Sequence, residues 1–253
     1  MKKALITGAS AGIGLEFAYQ LAQKNYDLIL ISRNQQKLDE IAQDISSKHK
    51  NINEVLVADL STQEGIDLVT NKIKSNQDIE FIVNNAGLGI NKPFHKASLN
   101  EESDLLNVLV KAPLEITHSA ITSMLNSNRG FIINVGSVAA WTTSGTYSAA
   151  KVWLTSFSES LNTNYKKHGI HVSAVAPGFT KTEFHQRANM SIDSIPNWMW
   201  LNSKLVVRDS IKAVLKGKTI VVPSLRYKLL VSFLKLMPRR FIRKFSDSYQ
   251  SKR

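Results

Sequence analysis

Thr7-Gly8-Ala9-Ser10-Ala11-Gly12-Ile13-Gly14 is the stretch that decides how this chain folds. An apolar run from Lys3 to Thr7 leads into it and reads as a strand; a helical pattern from Gly12 to Gln23 leads out of it. The glycines have a mechanical task there. Without a Cβ they permit a tight turn and let backbone N–H groups approach a pyrophosphate at the positive end of the following helix. A glycine pattern alone is a weak signal, but strand, turn and helix in this order are what the mechanism requires.

Working outward, short apolar runs alternate with longer amphipathic stretches, the pattern of repeated βα units and a parallel sheet. Further strands are expected at Leu28 to Ile31, Val55 to Ala58, Ile79 to Val83, Gly130 to Val135, His171 to Ala176 and Thr219 to Val222. Several are rich in Val and Ile without period-2 alternation, as strands buried on both faces should be. Helices are expected at Gln35 to Ser47, Thr62 to Lys74, Glu101 to Leu125 and Thr146 to Lys166. The fold class is α/β: one Rossmann-type, doubly wound parallel sheet of about seven strands, flanked by helices. Residues 1–224 are expected to form this domain, and 225–253 a basic helical extension.

A chain of 253 residues with 43% hydrophobic and 21% charged residues can bury one large core and is not of a disordered class. Met1-Lys2-Lys3 could open a signal peptide, but the apolar run after it stops at Thr7-Gly8, so secretion is not expected. No stretch approaches the roughly 18–20 apolar residues that span a bilayer. The expected location is the cytoplasm, at most peripheral to the inner face of a membrane. The sequence contains no cysteine, which removes disulfides, thiolate metal sites and thiol nucleophiles. The six histidines are scattered without ligand spacing, so no metal site is expected. The net charge of +12 would suit nucleic acid, but most of it sits at one end. From Arg226 to Arg253 nine cations stand against Asp247 alone, and no nucleic-acid-binding module is recognisable.

More motifs follow the expected strands in order. They are Asp59-Leu60 after the third, Asn84-Asn85-Ala86-Gly87 after the fourth, Tyr147-Ser148-Ala149-Ala150-Lys151, and Pro177-Gly178 followed by Thr182. With the Thr-Gly-x-x-x-Gly-x-Gly turn, the chain resembles the classical short-chain dehydrogenase/reductase family over roughly residues 3 to 185. The resemblance implies hydride transfer between a nicotinamide dinucleotide and a carbonyl or alcohol substrate, in a homodimer or homotetramer. It implies cofactor contacts from Gly8, Ser10, Gly12, Ile13, Gly14, Asp59, Leu60, Asn85, Ala86, Gly87, Tyr147, Lys151, Pro177, Gly178, Thr180 and Thr182.

After the second strand comes Ser32-Arg33-Asn34, with a cation and no carboxylate. An acidic residue there would bind ribose hydroxyls and an arginine accommodates a 2′-phosphate, so NADP(H) is favoured over NAD(H). The other reading of Arg33 is a solvated surface charge, and Ala11 supplies no second basic group.

Tyr147 and Lys151, four apart, share one helix face. An ammonium and an oxidised nicotinamide nearby would favour the phenolate and bring proton exchange into the working range. In the family the equivalent tyrosine exchanges a proton with the substrate oxygen, while a serine at the end of the fifth strand, here Ser137, binds that oxygen. Ser137 stands ten residues before Tyr147, an interval shorter than the usual thirteen, and Ser144 is the alternative partner. Relatives also carry a helix asparagine that supports a water chain to the lysine. Alignment on Ala112-Pro113 puts Leu109 at that position, while Asn107, about 200° around the helix, is a candidate substitute.

The resemblance implies that the segment at about 183–216 closes over the substrate; its Phe184, Met190, Trp198, Met199 and Trp200 fit either an apolar pocket for a lipid-, steroid- or aromatic-like carbonyl or packing of the segment onto the core. In the tail, apolar Leu229, Leu230, Phe233, Leu234, Leu236 and Met237 alternate with cations until Pro238 interrupts. Beyond it Phe241, Ile242 and Phe245 oppose Arg239, Arg240, Arg243 and Lys244, the pattern of an interfacial helix drawn to anionic lipid. A helix covering the pocket or a subunit interface fits the same pattern. Two functional classes remain: an oxidoreductase, or a dinucleotide-binding regulator that keeps the fold without turnover.

Overall fold

The computed structural model describes residues 2–188, 190 and 195–250, with backbone alone for 245–250. Seven strands form one sheet: β1 (Lys3–Thr7), β2 (Asp27–Ser32), β3 (Asn53–Val57), β4 (Ile79–Asn84), β5 (Gly130–Val135), β6 (Ile170–Val175) and β7 (Ile220–Val221). Their spatial order is β3-β2-β1-β4-β5-β6-β7, and every pairing is parallel. Between the strands run α1 (Gly12–Ala22), α2 (Gln35–His49), α3 (Gln63–Lys74), α4 (Leu99–Leu106), α5 (Ala112–Asn126) and α6 (Gly145–Tyr165). The last part holds a short α7 (Phe184–Arg187), then α8 (Ser203–Val214), α9 (Leu225–Leu236) and α10 (Arg239–Gln250).

Alternation along β2 explains the two layers of helix. Leu28 and Leu30 point into one core with Phe17, Leu21, Phe81, Val207 and Ile211; Ile29 and Ile31 point into the other with Ile66, Val69, Ile116 and Met124. Both cores are apolar because the apolar runs offer large side chains to both faces of the sheet. A fully buried side chain such as Phe81 contributes about 1.5–3 kcal/mol.

Three expectations change. The helix expected from Glu101 to Leu125 is divided: between α4 and α5 lies a π turn, Asn107–Lys111, in which Ala112 N–H donates to Asn107 C=O. Pro113 has no N–H to offer the turn before it, and the wider turn absorbs that loss. The segment about 183–216 is not one substrate flap. Its second half is α8, capped by Asn202, which buries Val206, Val207, Ser210, Ile211 and Val214 and packs against α1. The tail helix breaks at Pro238 as expected, but its second apolar face is only partly exposed: Ile242 is 3% exposed and Phe241 46%. The side chain of Phe245 and residues Lys252 and Arg253 lie outside the described residues.

Candidate active site

Strand order reverses between β1 and β4, and the crevice outside their carboxyl ends is where open α/β sheets bind ligands. Thr7 closes its floor. Its hydroxyl accepts from the backbone N–H groups of Asn85 and Ala86, at 2.9 and 3.0 Å, and donates to Val83 C=O. The Asn85 amide donates to Thr7 C=O at 3.0 Å and Gly8 C=O at 3.3 Å, so it braces the turn from below. Gly8 has φ +66°, and a Cβ there would stand 2.8 Å from Asn85 Nδ2. A Cβ on Gly14 would collide with the carbonyl of Gly8. No side chain caps α1 at Ala11, leaving its first-turn N–H groups and its positive end for a phosphate. The residues present therefore fit a dinucleotide.

Along the same edge, Ser137 follows β5 and Tyr147 and Lys151 lie on the first turns of α6. The Tyr147 hydroxyl is hydrogen-bonded to Ser137. Ser144 instead pairs with Thr142 at 3.2 Å. The short interval between Ser137 and Tyr147 is filled by a 3-10 turn, Val138–Trp141, whose start Ser137 caps by accepting from Ala139 N–H. Lys151 is 4% exposed; its ammonium donates to Val135 C=O at 2.7 Å and lies 5.5 Å from the Tyr147 ring centroid. Burial pushes the Tyr147 phenol up to about 12, against the hydrogen bond from Ser137, so Tyr147 is a neutral phenol near pH 7. Burial also brings the Lys151 ammonium down to about 8.

A profile of the family described as short chain dehydrogenase matches residues 2–192. The chain belongs to the classical short-chain dehydrogenase/reductase family. A very-long-chain 3-oxoacyl-CoA reductase of Phaeosphaeria nodorum is 37% identical over 180 residues, 68% of this chain and 53% of that protein. The human inactive hydroxysteroid dehydrogenase-like protein 1 is 30% identical over 191 residues, 74% of this chain and 58% of that protein. The chain thus spans little more than half the length of these curated relatives. A short-chain dehydrogenase from Sphingobium yanoikuyae, solved with NADPH, superposes with a TM-score of 0.85 at 26% identity, covering 93% of this chain and 94% of that one.

Within this short-chain dehydrogenase/reductase, Arg33 is exposed beyond β2, its guanidinium 3.7 Å from Asp59. Burial would raise the Asp59 carboxyl, but hydrogen bonds from Ser61 and the charge of Arg33 hold it below the usual range. Leu60 is buried beside it. Ser10 and Ile13 lie in and just after the glycine turn, and Gly87 follows Ala86 at the mouth of the crevice. Thr182 borders the turn, since a Cβ on Gly12 would meet its side chain at 3.0 Å. Thr180, in contrast, is buried with its hydroxyl donated to Gly178 C=O. Pro177 C=O accepts from Val138 N–H, which ties this loop to the one carrying Ser137.

Asn107 departs from the expectation of a proton relay. Its amide donates to Ser61 C=O at 2.7 Å, while Leu109 packs with Leu105, Ala150 and Tyr147. The wide π turn gives the 107 and 109 side chains angular positions that ordinary helical spacing does not.

Of the five large residues of the 183–216 segment, Phe184 lies nearest the chemistry, its ring centroid 6.2 Å from that of Tyr147. Met190 is half-buried, Met199 packs toward Tyr227 and Val231, and Trp198 is 63% exposed. Trp200 lines a cleft of about 430 Å³ together with Lys181, Thr182, His185, Gln186, Ile195 and Asn197. Of the polar lining, sequence reasoning named Thr182 and missed Lys181, His185, Gln186 and Asn197. His185, buried among the rings of Phe179, Phe184 and Trp200, had no motif to mark it. It also missed Tyr227 of α9, whose hydroxyl accepts from Phe179 N–H at 3.1 Å and donates to Met199 C=O at 2.9 Å.

Proposed function

We propose that this chain is an NADP(H)-dependent oxidoreductase that interconverts a carbonyl and an alcohol. The observation that carries the reading is the Ser137–Tyr147 hydrogen bond with the Lys151 ammonium beside it, on the rim of a crevice built for a dinucleotide. The bound nicotinamide supplies or accepts the hydride. Gly8, Ser10, Gly12, Ile13 and Gly14 take the pyrophosphate. Arg33 takes a 2′-phosphate, in keeping with the NADPH of the Sphingobium relative. Asp59, Leu60, Asn85, Ala86, Gly87, Pro177, Gly178, Thr180 and Thr182 shape the rest of the cofactor crevice.

In reduction the neutral Tyr147 phenol donates its proton to the carbonyl oxygen as negative charge develops there; Ser137 donates a second hydrogen bond to the same oxygen. Lys151, as ammonium, stabilises the phenolate left behind and holds the nicotinamide ribose. Both effects act on groups already fixed by packing, so little reorganisation is needed.

The substrate is a carbonyl or alcohol with an apolar, lipid-, steroid- or aromatic-like body. Phe184 over Tyr147 and Trp200 in the cleft support this, as do the 3-oxoacyl-CoA reductases among the relatives. The enzyme works as a homodimer or homotetramer in the cytoplasm, and its basic tail draws it to the anionic face of a membrane.

The test is a panel of apolar ketones and aldehydes with NADPH, read by absorbance, on wild type and Tyr147→Phe. Wild type should turn over at least one member, and Tyr147→Phe should lose about 10²–10⁴-fold in kcat with NADPH binding retained. NADPH consumption that survives Tyr147→Phe would sink the mechanism. The dinucleotide-binding regulator is the second reading, and the human relative named as inactive favours it. Tight NADPH binding without turnover on any member would support that reading instead.

A further inference from the structure

Four large apolar side chains on α9 face water: Leu225 is 72% exposed, Leu229 65%, Phe233 60% and Leu236 86%. At about 100° per residue they fall on one face, in a ridge about 16 Å long. The opposite face, Tyr227, Val231 and Leu234, is buried against the domain, so α9 is apolar on two sides. Lys228 and Lys235 flank the exposed ridge on one side and Arg226 on the other. Between residues 225 and 244 there are seven cations and no carboxylate.

We infer that the outward face of α9 is a docking surface for an anionic lipid bilayer, with Leu225, Leu229, Phe233 and Leu236 entering the acyl boundary and the surrounding lysines and arginines meeting the headgroups. The inference rests on the proposed attraction of the basic tail to membranes and adds to it the face that enters the lipid. Charge and shape select this occupant. An apolar ridge flanked by long cationic side chains matches an interfacial helix, in which the stems lie along the apolar zone and the charged heads stay among phosphates. A second copy docking through the same face would set seven cations against seven. Nucleic acid would match the charge and leave the leucines unexplained.

Of the face expected from sequence, Ile242 is buried, Phe241 is 46% exposed with Arg240 4.9 Å from its ring, and the Phe245 side chain lies outside the described residues. Beyond Pro238, Arg239, Arg240, Arg243 and Lys244 serve as headgroup contacts.

The inner face of α9 connects the ridge to the site. Tyr227 holds the Phe179 and Met199 backbones, and Lys235 lies 5.4 Å from the Trp141 ring. Those connections lead to Thr182, Trp200 and Ser137, so docking through α9 holds the loops of the cleft beside the lipid.

The experiment is cosedimentation of the full chain with phosphatidylcholine vesicles, alone or containing phosphatidylglycerol, at low and high salt. Wild type should bind the anionic vesicles at low salt, release as salt rises, and bind neutral vesicles weakly. The variant Leu229→Gln/Phe233→Gln/Leu236→Gln should lose about tenfold or more in anionic-vesicle affinity, with melting temperature and solution activity unchanged because all three side chains are exposed. Undiminished vesicle binding by that variant would overturn the α9 face and leave the basic-tail reading standing. A wild type that never sediments overturns both. A dimer in solution that the triple variant dissociates would assign the ridge to a second copy and overturn the inference.

Discussion

Lys151 shows how one side chain couples the site to stability. Its folded value of about 8 lies below the 10.5 of a solvated lysine, so between these values the unfolded chain binds more protons than the folded one. Stability from this group therefore rises with pH through that window; below about pH 8 the whole burial cost, about 3 kcal/mol, is felt. Urea unfolding of wild type and Lys151→Met from pH 7.5 to 10.5 should show wild type gaining on the mutant by up to that amount. Parallel curves would mean that Lys151 is not buried as a titrating group. Arg33 makes the other prediction at this scale. It is exposed and its ion pair with Asp59 is long, so it contributes little to folding and is available to a phosphate. Arg33→Asp should reverse a preference for NADPH over NADH, by about tenfold or more in a fluorescence titration. Equal wild-type affinities for the two dinucleotides would remove the assignment.

At the scale of elements, the break between α4 and α5 decides what Asn107 can do. The π turn gives the Asn107 amide to the Ser61 carbonyl, ahead of α3, and lets Leu109 fill the space against Tyr147. Asn107→Ala should cost about 1 kcal/mol in unfolding free energy, the net worth of one part-buried hydrogen bond, and leave kcat within about twofold. A large fall in kcat at unchanged stability would restore the relay. Much of this scale was legible in the sequence: all seven strands form within two residues of their expected ends because apolar runs between glycine and asparagine turns have few alternatives. The π turn was not, since Pro113 signals only a lost donor, and whether a helix kinks, ends or widens depends on what packs beside it. The α8 helix was legible in principle from the Val206, Val207, Ser210, Ile211 and Val214 spacing after Asn202. The aromatic content of the neighbouring segment fits a pocket lining or packing onto the core equally well, and so does not mark where the helix begins.

For the whole molecule, α9 belongs to the domain as well as to its surface. Tyr227 and Val231 fill space next to Ala176, Val206 and Val222, Leu234 is buried beside them on the helix, and the Tyr227 ring covers Gly178. Deleting 225–253 should remove about 5 kcal/mol or more and lower the melting temperature by roughly 10 °C or more; deleting only 239–253 should cost much less and retain NADPH binding. Circular dichroism melts of the two truncations separate these outcomes, and equal melting of both would show that α9 is dispensable. The sequence by itself determined the doubly wound sheet, the glycine turn and the shared helix face of Tyr147 and Lys151. These depend on local periodicity, on backbone space at particular glycines and on spacing along a single helix. Tertiary structure alone decided that Ser137 rather than Ser144 meets Tyr147, that Asn107 turns to Ser61, and that Ile242 is buried while the ridge of α9 stays in water. Each of those outcomes depends on which surface a neighbouring element covers, and a side chain's residue type and position in the chain carry no record of its neighbour.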